Sequence, residues 1–281
     1  MSAPVASATI SSETRYRAID GLSIRYIESE RNATQRGDAL LLSPWPESVY
    51  AFEQVWQLLA QHAHLVAIDL PGFGRSERRA SLMAPRAMGE FVLRAADAFK
   101  LELPHVVAPD VGTAAALFAA ALSPQRLRSL VVGTGGAAVP LQLGGPLKEW
   151  VEAPSIEPYR KIDGRQIVAA AMKSLERYTP TDAARADYLE SYAGERFAES
   201  MAYVRNYPRE LPMLRNLLPQ IRVPVQILNG KRDPVVPPVN AQFLHDRLPG
   251  SKMVLLDAAH FIWEDAAEEY AAHVTDWWKA H

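Results

Sequence analysis

Three residues of this chain have types and settings suited to covalent hydrolysis: Asp110, Asp233 and His260. Asp110 lies in HVVAPDVGTAAALFAAAL, at the end of an apolar run, two residues before a glycine, where a small-residue helix pattern begins. A strained strand–turn–helix of this kind can hold a nucleophile above a sheet, and here aspartate takes the place that serine often fills. An Asp at a helix start can equally be an N-cap, welcomed by the helix dipole, so this position alone leaves both readings open. Asp233, in ILNGKRDPVVPP, sits in an Asp-Pro pair that is also an ordinary turn signal. His260, in VLLDAAHFIWED, stands alone in a loop, where histidine is often structural. Taken together they could form a relay in which Asp233 orients His260, His260 deprotonates water, and Asp110 carries the covalent intermediate.

Such a relay needs a sheet that brings distant strand ends together. Residues 16–19 and 24–28, separated by Asp20-Gly21, read as an opening hairpin. Apolar strands are expected over 39–43, 64–69, 105–109, 130–133, 224–228 and 252–256. Helices are expected over 52–60, about 86–101, 111–122 and at the Trp- and Tyr-rich C-terminus. Continuous apolar strands alternating with helices predict an α/β fold with a mostly parallel sheet covered on both faces. Asp110, Asp233 and His260 then all follow carboxyl ends of strands, where ligand crevices form in open sheets. The alternation stops over residues 137–219, which are mostly helical, proline-rich and contain six tyrosines. That stretch is expected to be a helical cap inserted between two core segments, 1–136 and 220–281.

The motifs IDLPGFGRSER, APDVG, NGKRDPVVPP and AAHFIWE resemble the α/β-hydrolase superfamily over nearly the whole chain. The order Asp110, Asp233, His260 is that family's order of nucleophile, acid and base. An Asp nucleophile is similar to that of epoxide hydrolases and, less closely, haloalkane dehalogenases. The resemblance implies hydrolysis of an epoxide to a vicinal diol through an alkyl ester on Asp110, with no cofactor. A haloalkane or haloacid dehalogenase with the same triad is the alternative, and a non-catalytic ligand-binding homologue is a second. The loop SPWPES, residues 43–48, resembles the HGxPxS loop of epoxide hydrolases, with Ser43-Pro44 in place of His-Gly. By that likeness, and by position after the nucleophile, the backbone amides of Trp45 and Val111 are expected to form an oxyanion hole. Val111 stands where many haloalkane dehalogenases carry a Trp that holds the leaving halide, fluoroacetate dehalogenases an Arg, and many epoxide hydrolases also a Trp, so the likeness to dehalogenases is the weaker. Tyr203, in AYVRNYPRE, and Tyr159, in EPYRKIDG, are the cap tyrosines the resemblance nominates as proton donors.

Composition narrows the partners. With 30 Lys and Arg, 32 Asp and Glu and a formal net charge of −2, the chain carries no basic stripe for nucleic acid. No apolar run reaches the roughly 18 residues of a spanning helix. The absence of Cys removes disulfides and thiolate metal sites, and it suits a cytoplasmic setting. His62, His64, His105, His245 and His273 show no metal spacing. The N-terminus reads as a short leader. The expected partners are a small hydrophobic organic substrate and water, without cofactor or metal, and the composition is compatible with a homodimer.

Overall fold

In the computed structural model, residues 13–33 and 35–281 are described; the leader read over MSAPVASATISSE lies outside them except for Glu13. Among the described residues eight strands form one sheet: β1 (Arg15–Ile19), β2 (Leu22–Glu28), β3 (Asp38–Leu42), β4 (His64–Ile68), β5 (His105–Pro109), β6 (Ser129–Gly133), β7 (Val225–Gly230) and β8 (Lys252–Leu256). Their spatial order is β1-β2-β4-β3-β5-β6-β7-β8. β1 and β2 form the antiparallel hairpin, β2 joins β4 antiparallel, and every pairing from β4 across to β8 is parallel. Strands β3 to β7 are buried at every position, because helices cover both faces. This is the α/β-hydrolase architecture expected from the sequence.

Helix α1 (Glu53–Ala60) packs with the C-terminal helix on one face, and α2 (Pro85–Ala98) packs with α3 (Val111–Leu122) on the other. Gly89 permits that second contact, since a Cβ there would lie 2.7 Å from the Ala115 carbonyl and 2.8 Å from Phe118 Cβ. Helix α3 is apolar nearly all round, VGTAAALFAAAL, as a helix buried against both sheet and α2 must be.

Between β6 and β7 the chain makes six helices, α4 (Gly145–Glu152), α5 (Glu157–Arg160), α6 (Gly164–Ala171), α7 (Asp182–Ser191), α8 (Arg196–Val204) and α9 (Tyr207–Leu217). This insert is tied to the sheet by charge. Buried Arg25 of β2 donates to Asp187 of α7 at 2.6 and 2.8 Å and to Asp69, beyond β4, at 2.6 Å. After β7 come α10 (Val239–His245), α11 (Ile262–Asp265) and α12 (Ala267–Ala280). Among the described residues no helix is long and apolar enough to cross a membrane.

Candidate active site

Asp110 occupies the turn from β5 into α3 with φ 52° and ψ −122°. A left-handed non-glycine residue costs about 1–3 kcal/mol and persists only where its surroundings enforce it. Gly112 and Gly135 supply the room: a Cβ at Gly112 would lie 3.2 Å from Ala108 and Leu42, and one at Gly135 only 2.4 Å from the Asp110 carbonyl. The Asp110 side chain makes no capping bond to its own helix. Instead Oδ2 accepts the Trp45 backbone amide, from the loop after β3, at 2.7 Å. Burial pushes the carboxyl up to about 6, a rise opposed by His260 and by the amides of Trp45 and Val111.

His260 sits between β8 and α11. Its Nδ1 lies 2.8 Å from Asp233 Oδ2, and Asp233 Oδ1 accepts the amides of Val235 and Val236, each at 2.8 Å. Asp233 is therefore held at both oxygens. The other ring nitrogen, Nε2, faces Asp110 Oδ1 across 3.8 Å, beyond direct hydrogen-bond range. Burial alone would lower the imidazole's pKa, but the Asp233 and Asp110 carboxylates outweigh it and raise it. Gly230, at the end of β7, lets the His260 loop approach, because a Cβ there would meet the Ala259 carbonyl at 1.7 Å.

A cavity of about 290 Å³ opens above these groups. Asp110 and His260 line it with Trp45, Pro46, Leu147, Trp150, Ile167, Val235 and Phe261, while exposed Ala170 and Ser174 stand at its rim. No Lys or Arg is among the lining residues. The Trp45 ring stacks on Phe197 at 4.9 Å, its indole donates to Ser200 Oγ at 2.8 Å, and Trp150 meets it edge-on at 5.2 Å. The insert thus furnishes much of the wall.

The sequence-nominated tyrosines lie elsewhere. Tyr203 is buried with its hydroxyl donating to the Val111 carbonyl at 2.9 Å, so it braces the elbow and does not line the cavity. Tyr159, half-buried on α5, borders a separate surface hollow with Glu149 and Pro158. Tyr207, at the start of α9, is buried, and its hydroxyl is pushed well up by burial and by the Asp110 charge. Trp150 and Tyr207 were not singled out from sequence. One Tyr among six and one Trp in a plain amphipathic helix carry no local mark. Among the described residues no cluster of His, Asp and Glu could hold a metal ion.

The chain belongs to the alpha/beta hydrolase fold family, whose model matches residues 40–267, and it is a hydrolase of that fold. Among curated proteins it is similar to the pimeloyl-[acyl-carrier protein] methyl ester esterase of Neisseria meningitidis serogroup A, 26% identical over 244 residues that cover 84% of this chain and 75% of the relative. Among solved structures it is similar to Cfl2 from Burkholderia cenocepacia, with TM-score 0.78 and 22% identity over 94% of this chain and 95% of that one. It is likewise similar to epoxide hydrolase VrEH1 from Vigna radiata, with TM-score 0.76 and 17% identity over 96% and 98%. These structural likenesses concern the fold.

Proposed function

We propose that the protein hydrolyses a small neutral epoxide to a vicinal diol through a covalent alkyl ester on Asp110, with Asp233 and His260 completing a catalytic triad. One observation carries the reading: a carboxylate on a strained elbow has one oxygen on the Trp45 amide and the other facing His260 Nε2. In the first step Asp110 Oδ1 attacks a ring carbon, the carbon–oxygen bond breaks, and the departing oxygen takes a proton. Tyr207, which does not line the cavity but whose hydroxyl feels the Asp110 charge, is the candidate donor, since the Tyr203 proton is engaged by the Val111 carbonyl. In the second step His260 takes a proton from water, and hydroxide adds to the Asp110 carboxyl carbon. The amides of Trp45 and Val111 hold the oxyanion until the alkyl–oxygen product leaves as diol.

The esterase names among the relatives imply a carbonyl substrate. Carboxylate attack on an ester carbonyl would give an anhydride, whereas attack at saturated carbon gives a stable ester that water can cleave, so the Asp favours the latter. A lining without Lys or Arg favours a neutral substrate over a haloacid. Haloalkane dehalogenation is the second reading, favoured by Trp150, whose indole on the cavity wall could stabilise a halide.

The test is a cofactor-free assay with styrene oxide-like and aliphatic epoxides beside haloalkanes and aryl esters. Diol formation, with an adduct of substrate mass trapped on Asp110 in His260→Gln, is expected. Tyr207→Phe should slow epoxide opening more than Trp150→Phe does. Halide release without diol would replace the epoxide reading by the dehalogenase one, and activity surviving Asp110→Ala would remove the nucleophile. Ligand binding without turnover in all three substrate classes would favour the non-catalytic reading.

A further inference from the structure

Away from the cavity lining, two carboxyl groups are buried against each other. Glu47, 2% exposed, follows Trp45 and Pro46 in the loop after β3, and Glu264, 4% exposed, lies on α11 four residues after His260. The Trp263 indole donates to Glu47 Oε2 at 2.9 Å, and the Tyr188 hydroxyl of α7 donates to Glu264 Oε1 at 3.0 Å. The remaining oxygens, Glu47 Oε1 and Glu264 Oε2, are buried and receive no N–H or hydroxyl donor. Each carboxyl thus keeps one buried oxygen without a partner, and the two groups lie near enough to act on each other's charge. A carboxyl–carboxyl hydrogen bond requires that one partner hold a proton.

Among the groups acting most strongly on the pair none is cationic. They are Asp110 at the elbow, Glu53 of α1, Asp265 of α11, and the phenols Tyr188 of α7 and Tyr178 before it. Ionising both carboxyls would set like charges side by side in a low-dielectric interior. Burial pushes both groups up, Glu47 well above the usual carboxyl range, because Glu264 adds to the effect of burial there.

We propose that Glu47 and Glu264 share one proton and act as positioning residues, clamping the loop that presents the Trp45 amide to the loop that presents His260. The clamp reaches the site through short links. Trp263, fixed by Glu47, meets the His260 ring edge-on at 6.0 Å. The Glu47 carbonyl accepts the Tyr192 hydroxyl at 3.0 Å, which anchors the same loop from the insert. While the proton is shared, the amide and the imidazole keep their separation from Asp110. When pH rises past the raised pKa the proton leaves, the two carboxylates repel, and the loops part. The clamp therefore gives turnover an alkaline limit, and it acts whichever group leaves when Asp110 attacks.

Glu47→Gln tests this, because its carbonyl can accept from Trp263 while its amide donates to Glu264 without titrating. The Trp263 indole proton and the low-field proton on His260 Nδ1 are followed by NMR against pH in the wild type and in Glu47→Gln. Turnover is followed in parallel. In the wild type the indole resonance should shift in the alkaline range together with loss of the His260 proton, and both changes should vanish in Glu47→Gln. The ratio of kcat at about pH 9 to kcat at about pH 7 should then rise about threefold or more in that variant, with KM little altered. Glu264→Gln, which preserves the same hydrogen bonds in reverse, should reproduce the effect. An indole resonance that titrates in the ordinary carboxyl range would overturn the shared proton. A His260 proton and an alkaline limb indifferent to both Gln variants would overturn the positioning role, leaving only a structural pair. The NMR arm needs no substrate, so it stands or falls separately from the epoxide reading.

Discussion

In the proposed mechanism Asp110 must be ionised to attack, and burial pushes its carboxyl up to about 6. Ester formation should therefore decline as pH falls through about 6, which single-turnover alkylation rates across pH would measure. His260 must be neutral to accept a proton from water, and its pKa lies above the ordinary 6.5, so ester hydrolysis should decline at a higher pH than ester formation. Accumulation of the ester in mildly acid solution is the expected signature, read by intact mass. The Asp110 carboxyl is also a stability cost. Its folded pKa exceeds the ordinary 3.8, so the native state holds the extra proton and stability falls as pH rises from about 4 to about 6. Asp110→Asn should abolish turnover yet stabilise the fold above that window, by on the order of 1–3 kcal/mol in urea titrations. Asp233→Asn, which leaves His260 Nδ1 without its carboxylate, should lower kcat by about 100-fold to 10,000-fold while the fold survives.

At the scale of elements, the insert is held by buried charge as well as apolar contact. Arg25, Asp69 and Asp187 join β2, the end of β4 and α7, and the Ser48 hydroxyl, in the Trp45 loop, also donates to Asp187 at 2.6 Å. Asp187→Ala leaves two buried Arg25 N–H groups without their acceptor while Asp69 still balances the charge, so it should cost about 1–3 kcal/mol in chemical denaturation. Limited proteolysis of that variant should cut first within the insert. Helices α2 and α3 depend on close approach instead. Gly89→Val would drive methyl groups into the α3 backbone at Ala115 and should cost about 2–4 kcal/mol by the same measurement.

The whole molecule sets substrate size, because the core supplies the proposed triad and the insert supplies the facing wall. A volume near 290 Å³ falls at the lower bound of the roughly 300–1,000 Å³ usual for ligand sites, so compact substrates should be preferred. Ala171 lines this space on α6. Ala171→Leu should raise KM for a phenyl-substituted epoxide by about tenfold while sparing a short aliphatic one, as steady-state kinetics on the two would report.

The strands, the flanking helices and the placement of Asp110, Asp233 and His260 after strand ends were legible in the sequence, because apolar periodicity and glycine or proline punctuation act over a few residues. So was the elbow on its Gly112 side, whereas Gly135 reaches it only through the fold. The insert was legible as helical, but not in which way its helices turn. Each residue rotates a side chain by about 100° about a helix axis, so only packing decides that Tyr203 braces the Val111 carbonyl and that Trp150 faces the cavity. The bond between Glu47 and Trp263 joins positions 216 residues apart. Nothing in either segment alone marks a buried acid pair, since a glutamate acquires that character only when the tertiary fold removes water and sets a second carboxyl beside it.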